Sequence, residues 1–303
     1  MLEAMSTSSL PDPHQDNDDL EEETALVHGL RFAQGTATLH TDLVAREEPL
    51  EIQLGATPLA VMMRTPGYDE ELTLGLLQSE GVISGISDVL AVRHCSITPY
   101  PQADGNVIRV TLAPHVRVDH EALRRNLYAS ASCGVCGKAT LENVLRAVPP
   151  LDDPARFEAD FFSDLPERLR AAQVVFAQTG GLHAAGLCAP DGTLLVVRED
   201  VGRHNAVDKV IGWALREGKA PLTGHVLVVS GRISFEIAQK ALMARIPVIA
   251  AVSAPSSLAI SLASTAHLTL VTFLRNNSFN LFGETQRVFE RITHSTDRAS
   301  VAP

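Results

Sequence analysis

From Leu182 to Phe273 the chain alternates apolar runs of strand length with stretches of helical period. Strands are expected over Leu182–Ala189 and Thr193–Arg198, joined by the turn signal Pro190-Asp191-Gly192. A helix is expected over His204–Arg216, with Val207, Val210, Ile211 and Ala214 on one face. Further strands are expected at His225–Val229, Pro247–Val252 and Leu268–Phe273, separated by helices over Ser234–Ala244 and Pro255–Ala263. Val174–Gln178, just ahead of this series, also reads as a strand. Strands joined through helices must cross over, so the sheet is expected to be largely parallel, with ligands meeting the loops at its carboxyl ends. The apolar stretch Ile249–Leu274 contains Pro255, several Ser and Thr, and His267, and reads as a strand–helix–strand unit, not as a membrane span.

The earlier part of the chain has a different texture. Leu50–Leu54, Ala60–Met63 and Val107–Leu112 are strand candidates. Tyr68–Glu80 follows the turn Thr65-Pro66-Gly67 and reads as a helix, with Leu72, Leu76 and Leu77 on one face and Asp69, Glu70 and Glu71 in the first turn. Three segments follow: a disordered acidic tail over 1–24, an α+β domain over 25–127, and an α/β domain over 128–303. The tail explains most of the formal charge of −11, because residues 1–30 hold eight acidic side chains and no Lys or Arg; the rest has 28 acids against 25 bases. A nearly balanced body with 5% aromatics excludes a general nucleic-acid binder. No apolar leader opens the chain, which makes a reducing, cytoplasmic setting the expectation.

Four cysteines are present, and only Cys133 and Cys136 are close in sequence. They sit in Ser130-Ala-Ser-Cys-Gly-Val-Cys-Gly-Lys138, ahead of a helix expected from the spacing of Leu141, Val144, Leu145 and Val148, which Pro149-Pro150 stops. Gly134 and Gly137 leave the sulfurs sterically open. The helix dipole and Lys138 favour a thiolate, the form that attacks a donor persulfide and holds its sulfur. A thioredoxin-like redox pair also fits this spacing. Zinc would need two more ligands than the motif supplies, so no metal is expected. A zinc deaminase would need an H-x-E element, which the chain lacks. Cys95 and Cys188 are isolated, and Cys188 lies in an apolar strand, where an inert buried thiol is the ordinary outcome.

Three polar clusters are expected at strand ends: Thr179-Gly180-Gly181-Leu182-His183, Arg198 to Lys209, and Ser230-Gly231-Arg232-Ile233-Ser234. Small residues let amides approach an anion, and Arg203, Lys209 and Arg232 add cationic donors, which together point to a phosphate-bearing ligand. Asp200 and Asp208 could equally pair with these bases, and His183 and His204 could be structural. Ser253–Ser257 opens a helix and reads as an N-cap or a further contact. Phe273–Ser278, taken by itself, is an ordinary turn.

These motifs together resemble the formate dehydrogenase accessory sulfurtransferase family, FdhD. The matching stretches are Arg64-Thr-Pro-Gly67, Ser79-Glu-Gly81, Cys133-Gly-Val-Cys-Gly137, Thr179-Gly-Gly-Leu-His183, Glu199-Asp-Val-Gly-Arg-His-Asn-Ala-Val-Asp-Lys209, Ser230-Gly-Arg-Ile-Ser-Phe-Glu236, Ala251-Val-Ser-Ala-Pro255 and the Phe273–Phe279 segment. The resemblance implies a cytidine-deaminase-like sheet flanked by helices, without zinc chemistry, beside a smaller N-terminal α+β domain. It implies a cytoplasmic homodimer that takes persulfide sulfur from a cysteine desulfurase and transfers it to the molybdenum bis(molybdopterin guanine dinucleotide) cofactor, as required for formate dehydrogenase activity. Cys133 matches the persulfide carrier, and Cys136 matches the second cysteine. The cofactor-binding stretch matches Phe273, Leu274, Arg275, Asn276, Asn277 and Ser278. Gly180, Gly181, His183, Arg203 and Arg232 join it as candidate ligand contacts from the cationic, amide-rich clusters. Phe282 stands where the family often has Tyr, Ser278 lies in a turn that is frequently Gly or basic, and the acidic tail is outside the pattern. A thiol–disulfide oxidoreductase and a non-catalytic cofactor chaperone remain the alternatives.

Overall fold

The computed structural model describes residues 22–95, 105–119, 123 and 149–290. The acidic residues up to 21, the boundary expected between 127 and 128, Cys133, Cys136 and the helix expected over 141–148 lie outside them. The strands of the first part are β1 (Thr24–Ala33), β2 (Thr36–Ala45), β3 (Glu48–Leu54) and β4 (Thr57–Arg64). Helix α1 (Asp69–Ser79) follows, then β5 (Val89–His94), β6 (Val107–Leu112) and β7 (Phe157–Glu158). Next come α2 (Leu165–Ala171), α3 (Val174–Thr179), β8 (His183–Cys188), β9 (Leu194–Asp200) and α4 (Arg203–Arg216). The chain continues through β10 (Val226–Val229), α5 (Phe235–Met243), β11 (Val248–Ala251), α6 (Ser257–Ala266), β12 (Thr269–Arg275), β13 (Ser278–Gly283) and β14 (Val288–Phe289). The structure is thus a mixed α/β one with several sheets.

Two compact units divide these elements. The first takes the described residues of 1–139, 171–185 and 197–219, and the second those of 140–170, 186–196 and 220–303. In the first unit, β3, β4, β5 and β6 form a sheet of order β4-β3-β6-β5, with β3 and β6 parallel and both outer pairs antiparallel. Its strands alternate as a one-sided sheet should: Leu50, Ile52, Leu54, Ile108 and Val110 are buried, while Arg109 reaches across the other face to Gln53. Helix α1 departs from the one-sided helix expected of it. Asp69, Glu71 and every residue from Leu72 to Ser79 are buried, so it is a core helix. It lies against α4 at backbone distance, and two glycines make this possible. A Cβ on Gly75 would stand 1.9 Å from the Asp208 carbonyl oxygen, and one on Gly212 would stand 1.8 Å from that of Glu71.

β1 and β2 form a separate two-stranded ribbon, in register from Thr24↔Ala45 to Ala33↔Thr36. Gln34 and Gly35, at φ of 51° and 81°, make the two-residue turn, and positive φ at both positions matches strand twist. No strand was expected here, because the turn carries Gln-Gly in place of the usual Asn-Gly or Asp-Gly. Residues 22–24, which fall in the stretch expected as tail, are among the described ones. Glu23 is buried, and its carbonyl accepts the Arg46 amide at 2.8 Å.

Val174–Gln178 is a helix, not the expected strand. The apolar Val-Val-Phe run is too short for periodicity to decide, and a distant cap decides it instead. The Glu199 carboxylate accepts the Val175 and Phe176 amides, each at 2.9 Å, at the helix start. Gly180, at φ 67°, ends α3 in the left-handed conformation, its amide donating to the Phe176 carbonyl.

A six-stranded sheet has the order β13-β12-β11-β10-β8-β9. In the second unit β10, β11 and β12 run parallel, and β10 and β11 are buried throughout, as strands covered on both faces must be. β13 turns back antiparallel on β12. Helices α5 and α6 pack together, N-capped by Ser234 and Ser256, whose hydroxyls accept amides three residues on at 3.5 and 3.2 Å.

Candidate functional site

The Glu199–Lys209 motif folds into a buried charge clamp in the first unit. Lys209, fully buried, directs its ammonium to Asp200 Oδ2 at 2.9 Å, the Thr65 carbonyl at 3.0 Å and the Glu199 carbonyl at 3.2 Å. These three partners use all three of its donors. Asp200 is equally saturated. Its Oδ2 also accepts the Thr65 amide, and its Oδ1 accepts the Gly202 amide and Asn205 Nδ2. Asn205 Nδ2 donates in addition to the Met63 carbonyl, and the Val201 amide donates to Thr65 Oγ1. The motif thereby fixes the Arg64–Tyr68 segment to the start of α4.

Two further ion pairs extend this frame. Arg64, 2% exposed, forks onto Asp69 at 2.8 and 2.9 Å and donates to Asn106. Arg198 forks onto Glu71 at 2.6 and 3.0 Å while its guanidinium lies 3.9 Å from the Tyr68 ring centre. Ser79 donates to Asp208 Oδ1 at 2.8 Å, which ties the far end of α1 to α4. Thus Asp200 pairs with a base, Lys209, the plainer of the two roles open to it, while Asp208 accepts from the Ser79 hydroxyl. Arg64, Tyr68, Asp69, Glu71 and Arg198 were not singled out as individual contacts. The only signal for them was charge next to apolar positions, on the helix for Asp69 and Glu71 and on strands for Arg64 and Arg198; Tyr68 had none.

Arg203 differs from its neighbours. It is the first residue of α4 and half-buried, and its Nε is buried without a hydrogen-bond partner among the described residues. His204 and His183 are half-buried and engaged in further interactions. Gly180 and Gly181 form the carboxyl end of a helix and not a loop after a strand. The Gly180 amide is used in the cap, and the Gly181 amide donates to Thr179 Oγ1 at 3.3 Å. Neither amide is available to cradle an anion in this arrangement.

In the second unit, Ser230–Ser234 follows β10 at its carboxyl end, as expected. Arg232 is exposed. Ile233 is buried and bridges to Pro255, with its amide donating to the Ala254 carbonyl and its own carbonyl accepting the Ser256 amide. The loops after β10 and β11 are therefore stitched together. Phe273–Ser278 spans the end of β12 and the tight turn into β13. Asn276 and Asn277 have φ of 50° and 55°, the turn geometry that Asn tolerates. The register skips between Thr272 and Arg275, and Phe273 at the skip has φ 55° and is 38% exposed. Positive φ on an aromatic residue is a strained state, of the kind that clusters at functional sites. Leu274 is in the core at 1% exposure, while Arg275, Asn276, Asn277 and Ser278 are exposed.

Cys133 and Cys136, the expected sulfur site, lie outside the described residues. Cys188 is wholly buried, and burial pushes its thiol up to about 11, as suits an inert core cysteine. Among the described residues no group of three or more His, Cys, Asp or Glu could hold a metal ion, and no helix is long and apolar enough to cross a membrane.

The profile of the FdhD/NarQ family matches residues 45–289. The chain is 53% identical over 253 residues to a protein of Mycobacterium tuberculosis named sulfur carrier protein FdhD, covering 82% of this chain and 92% of that one. It is 50% identical over 263 residues to the Streptomyces coelicolor protein of the same name, covering 86% and 93%. A crystal structure from Desulfotalea psychrophila, described as that of a formate dehydrogenase accessory protein, is similar with a TM-score of 0.70 and 25% identity, covering 88% of this chain and 99% of that one. A profile match across most of the chain and relatives at half identity over nine-tenths of their length lead to one assignment: this chain belongs to the FdhD/NarQ family.

Proposed function

We propose that this chain is a cytoplasmic sulfur carrier that serves formate dehydrogenase and acts as a sulfurtransferase. Cys133 takes sulfur from a cysteine desulfurase as a persulfide and passes it to molybdenum bis(molybdopterin guanine dinucleotide), the substrate on which the sulfur is delivered; two copies of the chain act together. In the loading step the Cys133 thiolate attacks the terminal sulfur of the donor persulfide. The donor S–S bond breaks, a new one forms on Cys133, and the donor leaves as a thiolate, with no net gain or loss of electrons.

The observation that carries the reading is half identity, over nine-tenths of their length, to relatives named sulfur carrier protein, combined with a single close cysteine pair. Cys188 offers no competing site, being buried and protonated. Arg203, with its partnerless Nε, and the exposed Arg232 and Arg275 are suited to the phosphates of a guanine dinucleotide. Phe273 offers an exposed ring, and Asn276, Asn277 and Ser278 offer polar groups. Gly180, Gly181 and His183 contribute shape beside Ala45, which the Gly181 position approaches closely, and Leu274 contributes backbone only. The parallel run β10-β11-β12 with helices α5 and α6 supports a cytidine-deaminase-like arrangement for the larger domain.

The test is to incubate the full chain with a cysteine desulfurase and cysteine and measure its intact mass. One added sulfur atom is expected on the wild type and on Cys188→Ala, and none on Cys133→Ala. An unmodified wild type sinks the proposal.

A further inference from the structure

The β1–β2 ribbon has two unlike faces. Residues paired across an antiparallel ribbon share a face, so Leu26 and Leu43, Leu30 and Leu39, and Phe32 and Ala37 lie on one side. Interrupting them is a single polar pair, His28 and Thr41, hydrogen-bonded at 3.0 Å. Arg31, His40 and Asp42 lie on the reverse face with Thr38. The ribbon's root is tied down: Arg46 Nη2 donates to the Thr24 carbonyl at 3.0 Å, and α3 packs on β2. Its outer part is uncovered. Leu26 is 71% exposed, Leu30 61%, Phe32 75% and Leu39 90%.

A two-stranded ribbon has no core of its own and is marginal in water unless its apolar face is covered. We infer that the face formed by Leu26, Leu30, Phe32 and Leu39 is covered by the same face of a second copy of this chain. Three features select that occupant. The face carries no charge with which to recognise an unlike partner, because Arg31 and Asp42 point the other way. An apolar ribbon face can meet its own copy across a two-fold axis, with the His28–Thr41 pair at mid-face to set the register. The four side chains expose roughly 500 Å² per ribbon, so two ribbons face to face bury about 1,000 Å² in total, the area that a specific dimer needs. The family profile begins its match at Ala45, the last residue of β2, so the ribbon precedes the part of the chain that defines the family. The inference rests on the two-copy part of the proposed function and assigns the surface that part leaves open.

Sedimentation velocity on the full chain tests it. The wild type and the reverse-face variant Arg31→Ala are expected to be dimers. Leu30→Asp/Leu39→Asp is expected to be a folded monomer, with the dissociation constant raised at least about 100-fold. Phe32→Trp keeps the face apolar and is the second probe: its emission should shift to the red on dilution, in step with dissociation. A monomeric wild type overturns both the two-copy reading and this surface. A wild-type dimer that persists in Leu30→Asp/Leu39→Asp, or a Phe32→Trp emission unchanged by dilution, overturns the surface alone. The persulfide mass assay on the same variants is a separate readout, so loss of dimer and loss of sulfur loading are told apart.

Discussion

Replacing Lys209 by Met tests whether the Glu199–Lys209 motif is first a structural clamp. Met nearly fills the lysine stem's volume and removes only the ammonium and its three bonds, at 2.9, 3.0 and 3.2 Å. Two carbonyls, of Thr65 and Glu199, lose a donor. Asp200 keeps its charge and three N–H donors, from Thr65, Gly202 and Asn205. Breaking a buried pair from one side costs about 3–5 kcal/mol, and the three retained donors place this case near the lower end. Asp200→Asn should cost a similar amount for a different reason. Each Asp200 oxygen meets two donors, so an amide NH2 in either orientation faces N–H groups. In Lys209→Met/Asp200→Asn one of those donors is gone and no charge is stranded, so the double variant should lose at least about 2 kcal/mol less than the sum of the singles. Urea unfolding followed by Trp213, the one tryptophan and a turn beyond Lys209, reads these differences. A Lys209→Met protein within about 1 kcal/mol of wild type would falsify the clamp, because a buried ammonium with no structural consequence contradicts its geometry.

Gly75→Ala and Gly212→Ala should each destabilise by about 2 kcal/mol or more: alanine gains up to about 1 kcal/mol of helix propensity, but its Cβ would meet a carbonyl oxygen at 1.9 or 1.8 Å, and the helices must part. Gly85→Ala, where nothing lies within 4 Å, is the control, and equal melting temperatures for all three would refute the close crossing. Cys188 gives a pH signature. The unfolded thiol ionises near 9.0 and the folded one near 11, so the folded state binds more protons in between. Stability from this residue is therefore intact below pH 9 and falls as pH rises toward 11, by at most about 2.7 kcal/mol. Wild type should lose more stability across that window than Cys188→Ala does; parallel curves would count against the buried thiol.

The parallel strands were legible because their chemistry is local. Val226–Val229 and Val248–Ala251 are short, Val- and Ile-bearing apolar runs flanked by turn residues, which favours a strand buried on both faces. The helix over Arg203–Arg216 was legible for the same reason, its period being strong. Val174–Thr179 was not, because its state is set by Glu199, some twenty residues on, whose carboxylate satisfies the amides at its start. The acids of α1 were placed correctly in its first turn, but their burial was not legible. Asp69 and Glu71 suit the amino end of a helix whether solvated or paired, and only Arg64 and Arg198, arriving from other elements, decide between the two. The ribbon was missed because Gln34 occupies a position where sequence reading expects Asn or Asp, and because its alternation faces no core of this chain.

Hydrogen-bond capacity separates the residues of the distinctive motif more sharply than their spacing does. A residue can meet a ligand only with groups it has not already committed. Asp200 and Lys209 are fully committed, Asn205 Nδ2 already donates to both Asp200 and the Met63 carbonyl, and Asp208 accepts from Ser79. Loss of any of these loosens the frame, and an activity screen alone would mistake them for binding residues. Arg203 sits among them with an Nε that has no partner among the described residues, at a helix start where the backbone dipole also favours an anion. A buried N–H left without a partner is costly, and Arg203 Nε is the one buried side-chain donor of this motif not already committed to the frame among the described residues. Frame and site are therefore distinguished by stability: variants of the frame lose both folding free energy and function, whereas a ligand-directed arginine can be lost with the fold intact.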